Sequence, residues 1–143
     1  MKKTFMGVLA VSALLLAGCG SNEPETITAT VNVSGLANKI TEGGKACKFH
    51  EGTVREGAEI IMRGADNQIL GKSSLTLNDA RREDSKLCVF EAKFDDIPPG
   101  EAAYQVQVSG FDQVIFTEDE IRDGANITYR DDLSAAFDKL GGK

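Results

Sequence analysis

Three cysteines and one histidine carry the side chains best suited to covalent or metal chemistry in this chain of 143 residues. A thiol can form a disulfide, carry a lipid, bind a metal or act as a nucleophile, and an imidazole can be a ligand or a base. Cys19, Cys47 and Cys88 show no C-x-x-C spacing, and His50 is the only histidine available to them. We therefore expect no metal site and no cofactor, and we interpret His50 as a loop residue.

The first cysteine directly follows a short apolar segment. Lys2 and Lys3 precede an apolar run over residues 5–17, and the small residues Ala17 and Gly18 come just before Cys19. A membrane-spanning helix needs about twenty apolar residues, so this run is too short to be one. A charged start, an apolar middle and a small-residue end are typical of a secretory signal that is cleaved.

The residues L-A-G-C at 16–19 closely resemble the lipobox of bacterial lipoproteins. The resemblance implies a signal peptide over residues 1–18, cleavage before Cys19 and a diacylglycerol on the Cys19 thiol. Each buried CH₂ of an acyl chain contributes about 0.8 kcal/mol, and two chains hold a protein to a bilayer far better than one. Residues 19–25 would then be the lipidated cysteine and a short polar tether. The implied location is the extracytoplasmic face of the cell membrane.

The two remaining cysteines form an even pair once Cys19 carries a lipid. An extracytoplasmic compartment permits a disulfide between Cys47 and Cys88. In the chain-entropy model, closing a loop of about forty residues contributes about 4 kcal/mol to stability. We therefore predict a Cys47–Cys88 disulfide.

The charge balance excludes two classes of partner. The chain has 16 basic and 22 acidic residues and a net charge of −6, which becomes more negative when Lys2 and Lys3 leave with the signal. A negative domain is repelled by nucleic acid and by anionic headgroups. We expect no nucleic-acid partner, and contact with the membrane only through acyl chains on Cys19.

Apolar and polar residues alternate with a period of two in much of the chain after residue 25, which is typical of strands with one buried face. The segments are 26–33, 58–62, 69–70, 75–77, 88–94, 104–108, 114–116 and 127–129. Turn signals separate several of them, including GADN at 64–67 and IPPG at 97–100. In the segment at 88–94, Cys88 falls on the same face as the apolar residues.

Two longer stretches lack this alternation. Residues 36–53 and residues 78–86 are expected to be loops, the second strongly charged. About seven short strands with hairpin-length turns predict an all-β fold, a single immunoglobulin-like or transthyretin-like β-sandwich over residues 26–130.

Helical signals are confined to two places. Thr117 and Glu120 have capping-box spacing, which predicts a helical turn near 117–123 that ends at Gly124. A short helix is predicted within the tail, residues 131–143, because four apolar residues share one face there. These are Leu133, Ala136, Phe137 and Leu140. Such a stripe can dock on a partner, but we expect it to pack on its own domain or to fray.

Two longer motifs carry a further resemblance. The stretches GAEIIMRGADNQILGKSSL and CVFEAKFDDIPPGEAAYQVQVSGF look like a small β-sandwich domain of actinobacterial secreted proteins and lipoproteins. The I-P-P-G-x-x-x-Y corner is also loosely similar to the transthyretin-like domains that accompany carboxypeptidases. The resemblance covers roughly residues 31–121 and implies a sandwich fold and an exported location. It implies no catalytic residues for this chain.

The sequence lacks the usual machinery of catalysis. Neither G-x-S-x-G nor S-x-x-K occurs, so a familiar nucleophile is missing. Acidic residues gather at 118–123 and 131–132 without the spacing of a calcium loop, and acids are also favoured at helix starts. We therefore expect a protein that is not an enzyme.

Two functions fit these features. The first is a non-catalytic module that binds a protein of the cell envelope; the alternative is a prophage-encoded lipoprotein that binds a phage protein and blocks DNA injection by a second phage. In both, recognition would use the loops at 36–53 and 78–86, joined by the disulfide. Arg81 and Arg82 are the candidate binding residues, because arginine is enriched where interfaces concentrate their binding energy. Pairing of these arginines with Glu83 and Asp84 is the alternative.

Overall fold

The computed structural model describes residues 25–80 and 86–141. Cys19, the signal peptide, most of the tether, and the candidate binding residues Arg81 and Arg82 lie outside these ranges. The described residues form eleven strands and two α-helices, so the predicted all-β fold is confirmed. Within these ranges, no helix combines the length and the apolar character needed to cross a membrane.

The strands follow one another along the chain with short connections. They are β1 (Ile27–Leu36), β2 (Lys39–Thr41), β3 (Ala46–Lys48), β4 (Thr53–Arg55), β5 (Glu59–Arg63), β6 (Ile69–Ser74), β7 (Thr76–Ala80), β8 (Leu87–Ile97), β9 (Tyr104–Val108), β10 (Val114–Phe116) and β11 (Ala125–Tyr129). The helices are α1 (Glu118–Asp123) and α2 (Asp132–Gly141).

Two four-stranded sheets make up the sandwich. The first sheet has the order β11-β1-β8-β7, and the second has the order β10-β9-β5-β6. One buried apolar cluster contains residues of both sheets, among them Phe90 and Phe94 of β8 and Tyr104 of β9. Their alternation with exposed or half-buried neighbours is the pattern that predicted these strands.

The expectation of a long loop at 36–53 is wrong. This segment contains β2 and β3, which pair with β4 in a small third sheet, and a 3₁₀ turn over Glu42–Gly44. Cys47 of β3, Val54 of β4 and Phe49 between these strands are buried. The burial of β2 and β3 does not alternate, and β4 has a single buried residue, so the search for a period of two missed these strands. These strands also raise the number above the seven predicted.

Both helices lie where the sequence predicts them. Thr117 Oγ1 accepts a hydrogen bond from the Glu120 backbone at 3.3 Å, and the Glu120 carboxylate accepts one from the Thr117 backbone at 2.7 Å. This is the predicted capping box, and α1 ends at Gly124, whose φ of 102° suits glycine.

Strand pairing gives the sandwich two distinct ends. β8 runs antiparallel to β1, with Ile27 opposite Ile97 and Leu36 opposite Leu87. We call the end at Ile27 and Ile97, which follows Glu25, the near end, and the end at Leu36 and Leu87 the far end. At about 3.3 Å per residue, β1 separates the two ends by about 30 Å.

Candidate functional site

Cys47 and Cys88 lie side by side at the far end. The pair is fully buried, and its Cα atoms are 6.5 Å apart with the sulfurs at bonding distance. Cys47 belongs to β3 and Cys88 to the start of β8, so the link joins the small sheet to the first sheet. This is the pairing that the sequence predicts.

Residues of the two expected loops also meet at the far end. The Ala37 backbone N–H donates to the Lys86 carbonyl at 2.9 Å, and Lys86 Nζ donates to the Asn38 carbonyl at 3.2 Å. The start of the first segment and the end of the second are therefore in contact. Strand β7 runs to Ala80, so its end replaces the first part of the loop expected at 78–86.

Hydrogen bonds join the first residues of α2 to Asn38 and His50 at the far end. Asn38 Oδ1 accepts a hydrogen bond from the Asp132 backbone at 2.8 Å, and His50 Nδ1 lies 2.8 Å from Asp132 Oδ1. The Asp131 carboxylate caps the helix by accepting from the Ser134 backbone at 2.8 Å. His50 lies between β3 and β4, outside any strand, as the sequence predicts.

Arg130 connects α2 to the small sheet. Its Nε donates to Glu51 Oε1 at 3.2 Å, and Nη1 pairs with the carboxylate of Asp138. Burial alone would raise the pKa of Glu51, but hydrogen bonds from the backbone and guanidinium of Arg130 lower it below its ordinary value. The Glu51 carboxylate is thus held ionised beside Arg130.

The apolar stripe does not pack on its own domain, so the first of the two expected outcomes, packing or fraying, is wrong. Helix α2 contacts the domain through Ala135, which is 3 % exposed. Leu133, Phe137 and Leu140 are 65 %, 62 % and 78 % exposed. The reason is geometric: the bonds at Asn38 and His50 fix the helix start, and residue 135 lies about 200° around the helix from 133, at 100° per residue. The larger side chains therefore face away from the sandwich.

A cavity of about 480 Å³ opens between β10 and β11. Among the described residues, each of these strands pairs on one side only, with β9 and β1 respectively, so the cavity lies between two free sheet edges. Its lining includes Glu51, Phe111, Asp112, Asn126, Tyr129 and Arg130. Charged side chains and aromatic rings therefore line the same cavity.

Tyr129 is the most unusual residue of this cavity. It is 7 % exposed, its ring centroid lies 4.4 Å from that of Phe111, and its hydroxyl group has no hydrogen-bond partner among the described residues. Burial, followed by the charges of Glu51 and Asp112, raises the pKa of Tyr129 to about 12. The hydroxyl is therefore protonated at neutral pH.

No pattern in the sequence connects Glu51, Asp112 and Tyr129. They stand on three separate segments and meet only because the small sheet, the β9–β10 turn and β11 pack together. In the described part of the chain, no group of three histidine, cysteine or acidic side chains is arranged to hold a metal ion. No family model, curated protein or solved structure matches the chain.

Proposed function

We propose that this chain is a bacterial lipoprotein that binds a partner protein at the extracytoplasmic face of the cell membrane, without catalysis. The L-A-G-C motif at 16–19 supports lipid anchoring through Cys19. A domain stabilised by a Cys47–Cys88 disulfide suits an oxidising compartment outside the cytoplasm.

The exposed apolar stripe of α2 is the observation that carries the binding proposal. Three large apolar side chains on one helix face stand more than half exposed in an acidic domain. A contiguous exposed apolar surface on a soluble domain is typical of an interaction site. An amphipathic helix of this kind is recognised by laying its apolar face into a groove of the partner.

The position of α2 favours a protein over the lipid bilayer as the occupant. β11 runs parallel to β1 with Tyr129 opposite Gly35, so α2 begins at the far end, whereas the tether would leave from Glu25 at the near end. About 30 Å of strand separates these ends. The net negative charge of the chain also disfavours contact with anionic headgroups.

Arg81 and Arg82 remain candidate binding residues, because arginine is enriched where interfaces concentrate their binding energy. They stand between Ala80 and Lys86, the described residues that border the segment at the far end. Replacing both arginines by alanine should weaken partner capture about tenfold, which corresponds to about 1.4 kcal/mol.

The proposal is tested by capture in intact cells. Phe137→Ser should reduce the yield of the crosslinked partner about tenfold, since a buried aromatic anchor would be lost. Ile115→Ser is the matched control, because Ile115 is 64 % exposed and belongs to β10, not to α2. Cys19→Ser should abolish fatty-acid labelling and membrane retention. Full retention of the Cys19→Ser protein, or equal losses for Phe137→Ser and Ile115→Ser, contradicts the proposal.

A further inference from the structure

Two cavities adjoin along the open edge of β11. The first, of about 480 Å³, lies between β10 and β11 and is lined by residues 126–130 of the β11 side. The second, of about 260 Å³, is lined by residues 123–126, together with Phe116 and Glu120. Asn126 lines both cavities. We call the combined space the edge groove; it follows β11 from Ala125 to Tyr129.

The backbone of β11 has a free edge beside this groove. Among the described residues, β11 pairs with β1 alone, from Val31 opposite Ala125 to Gly35 opposite Tyr129, and the register contains no bulge. Proteins usually protect an exposed edge with lysine, proline or a bulge, and the β11 sequence A-N-I-T-Y contains neither residue. The edge is therefore able to accept a further strand.

The side chains of β11 indicate which kind of strand fits. Ala125 and Ile127 are buried, whereas Asn126 and Thr128 are exposed. A strand added beside β11 would continue this alternation, because successive side chains point to opposite faces. Every second side chain would enter the groove near Ile127 and Val114, and the others would face solvent. The pattern favours small apolar residues that alternate with polar ones.

A carboxylate stands at each end of the edge groove. Asp123 precedes Ala125, and Asp112 is at the other end, since the ring of the adjacent Phe111 lies 4.4 Å from that of Tyr129. In the part of the chain that the structure describes, neither aspartate side chain makes a hydrogen bond or an ion pair. Both carboxylates are therefore available to a cation.

The other charged residues of the groove already have partners. Arg130 is the only basic residue in the lining, and it is shared between Glu51 and Asp138. The Glu120 carboxylate accepts from the Thr117 backbone in the capping box. The groove thus has two free negative charges and no free positive one. A second copy of this chain would bring the same negative charges and a net charge of −6, so it would be repelled.

We propose that the edge groove binds an extended basic segment of a partner protein, which adds a strand beside β11. The five residues of β11 span about 16 Å at about 3.3 Å per residue. Lysine or arginine side chains about five positions apart would therefore pair with Asp112 and Asp123. Apolar side chains between them would enter the groove. This surface is separate from the apolar stripe of α2, and the inference does not rest on that stripe or on membrane anchoring.

The test uses a synthetic peptide, K-T-V-T-V-K with blocked ends, in NMR titrations of the folded, exported protein. The amide signals of residues 125–129 should shift and saturate with a Kd of about 0.1–1 mM, and their hydrogen exchange should slow. The acidic peptide E-T-V-T-V-E should give no saturable shift. The basic peptide with its two middle residues N-methylated should bind about tenfold more weakly, because each of its edges then lacks a donor.

Paired variants tie binding to the two aspartates. The double variant Asp112→Asn, Asp123→Asn should raise the Kd for the basic peptide about fivefold, since two ion pairs are lost. The control is the double variant Asp95→Asn, Asp96→Asn, which removes two exposed carboxylates of β8 outside the groove and should leave the Kd unchanged.

Four results would each overturn the proposal. The first is that the basic peptide gives no saturable shift at 125–129. The second is that the acidic or the N-methylated peptide binds as tightly as the basic one, and the third is that the Asp112→Asn, Asp123→Asn protein binds as tightly as the unmodified protein. The fourth is that the protein alone dimerises in sedimentation experiments and protects its own 125–129 amides as it does so, because a second copy then occupies the edge.

Discussion

His50 Nδ1 lies 2.8 Å from Oδ1 of Asp132, across 82 positions of sequence. This contact joins the segment between β3 and β4 to the first turn of α2. Together with the bond from the Asp132 backbone to Asn38, it fixes the rotation of the helix about its own axis. The small residue Ala135 therefore faces the sandwich, and the apolar stripe faces outward.

Removal of the helix cap should loosen α2. Asp131→Ala deletes the carboxylate that accepts from the Ser134 backbone, and we expect a loss of about 1 kcal/mol in the stability of the helix. Amide hydrogen exchange at 134–137 should report it. The control is Asp123→Ala, which removes an exposed carboxylate at the end of α1. It should change the exchange at 134–137 little. Unchanged protection in the Asp131→Ala variant would show that α2 is held by other contacts.

The domain should lose stability in acid through specific carboxylates. The hydrogen bond with His50 lowers the pKa of Asp132 below its ordinary value of 3.8, and bonds from Gly100 and Arg122 lower that of Glu118 below 4.5. A lowered native pKa contributes stability that is fully present above the ordinary pKa and is lost as the pH falls through the lowered one. These two carboxylates should therefore leave stability unchanged between pH 7 and about pH 5, and their protonation should reduce it at lower pH.

Denaturant midpoints measured from pH 7 to pH 2 check this dependence. The Glu118→Gln variant should show a shallower decline below pH 4.5 than the unmodified protein, since it has one less carboxylate to protonate. If both proteins lose stability equally at low pH, protonation of Glu118 does not contribute to acid unfolding.

The two tyrosines should respond oppositely to the loss of their hydroxyl groups. Tyr104→Phe removes a hydroxyl bonded to the Pro98 carbonyl and should reduce the free energy of unfolding by about 1 kcal/mol. Tyr129→Phe removes a buried hydroxyl with no partner in the described residues and should be neutral or stabilise by up to about 1 kcal/mol. Urea unfolding without added ligand measures both. A larger loss for Tyr129→Phe than for Tyr104→Phe would reveal a hydrogen bond at Tyr129.

The paired cysteines should leave no free thiol in the exported protein. Cys47 and Cys88 are 41 positions apart, and cross-linking a loop of this length contributes about 4 kcal/mol in the chain-entropy model. Replacing both cysteines by alanine should reduce the unfolding free energy by about 2–5 kcal/mol. Thiol titration of the unfolded, unreduced protein provides the direct count. Two titratable thiols in the mature protein would contradict the pairing.

The long strands could be predicted from the sequence because apolar and polar residues alternate along them, as in β8. Cys88, Phe90 and Phe94 alternate with less buried neighbours. The observed strand, Leu87–Ile97, is slightly longer than the predicted segment at 88–94. The capping box at Thr117 was equally readable, because all of its atoms come from four consecutive residues. Local patterns of this kind are set by local geometry.

Features that depend on distant residues were not predictable. The parallel pairing of Val31 with Ala125 brings α2 to the far end, and no pattern within either strand encodes that partner. The orientation of α2 depends on Asn38 and His50, which belong to a segment expected to be a loop. The cavity depends likewise on three separated segments. Long-range pairing therefore decided the candidate sites.

We propose that the far end, through the stripe of α2, contacts a partner protein while the near end faces the membrane. Site-specific photocrosslinking in intact cells tests it most directly, with a photoreactive phenylalanine analogue at position 137 or, for comparison, at position 119 on α1 near Glu25. We expect a discrete protein adduct from position 137 and none from position 119. A protein adduct from position 119 with none from position 137 would contradict it.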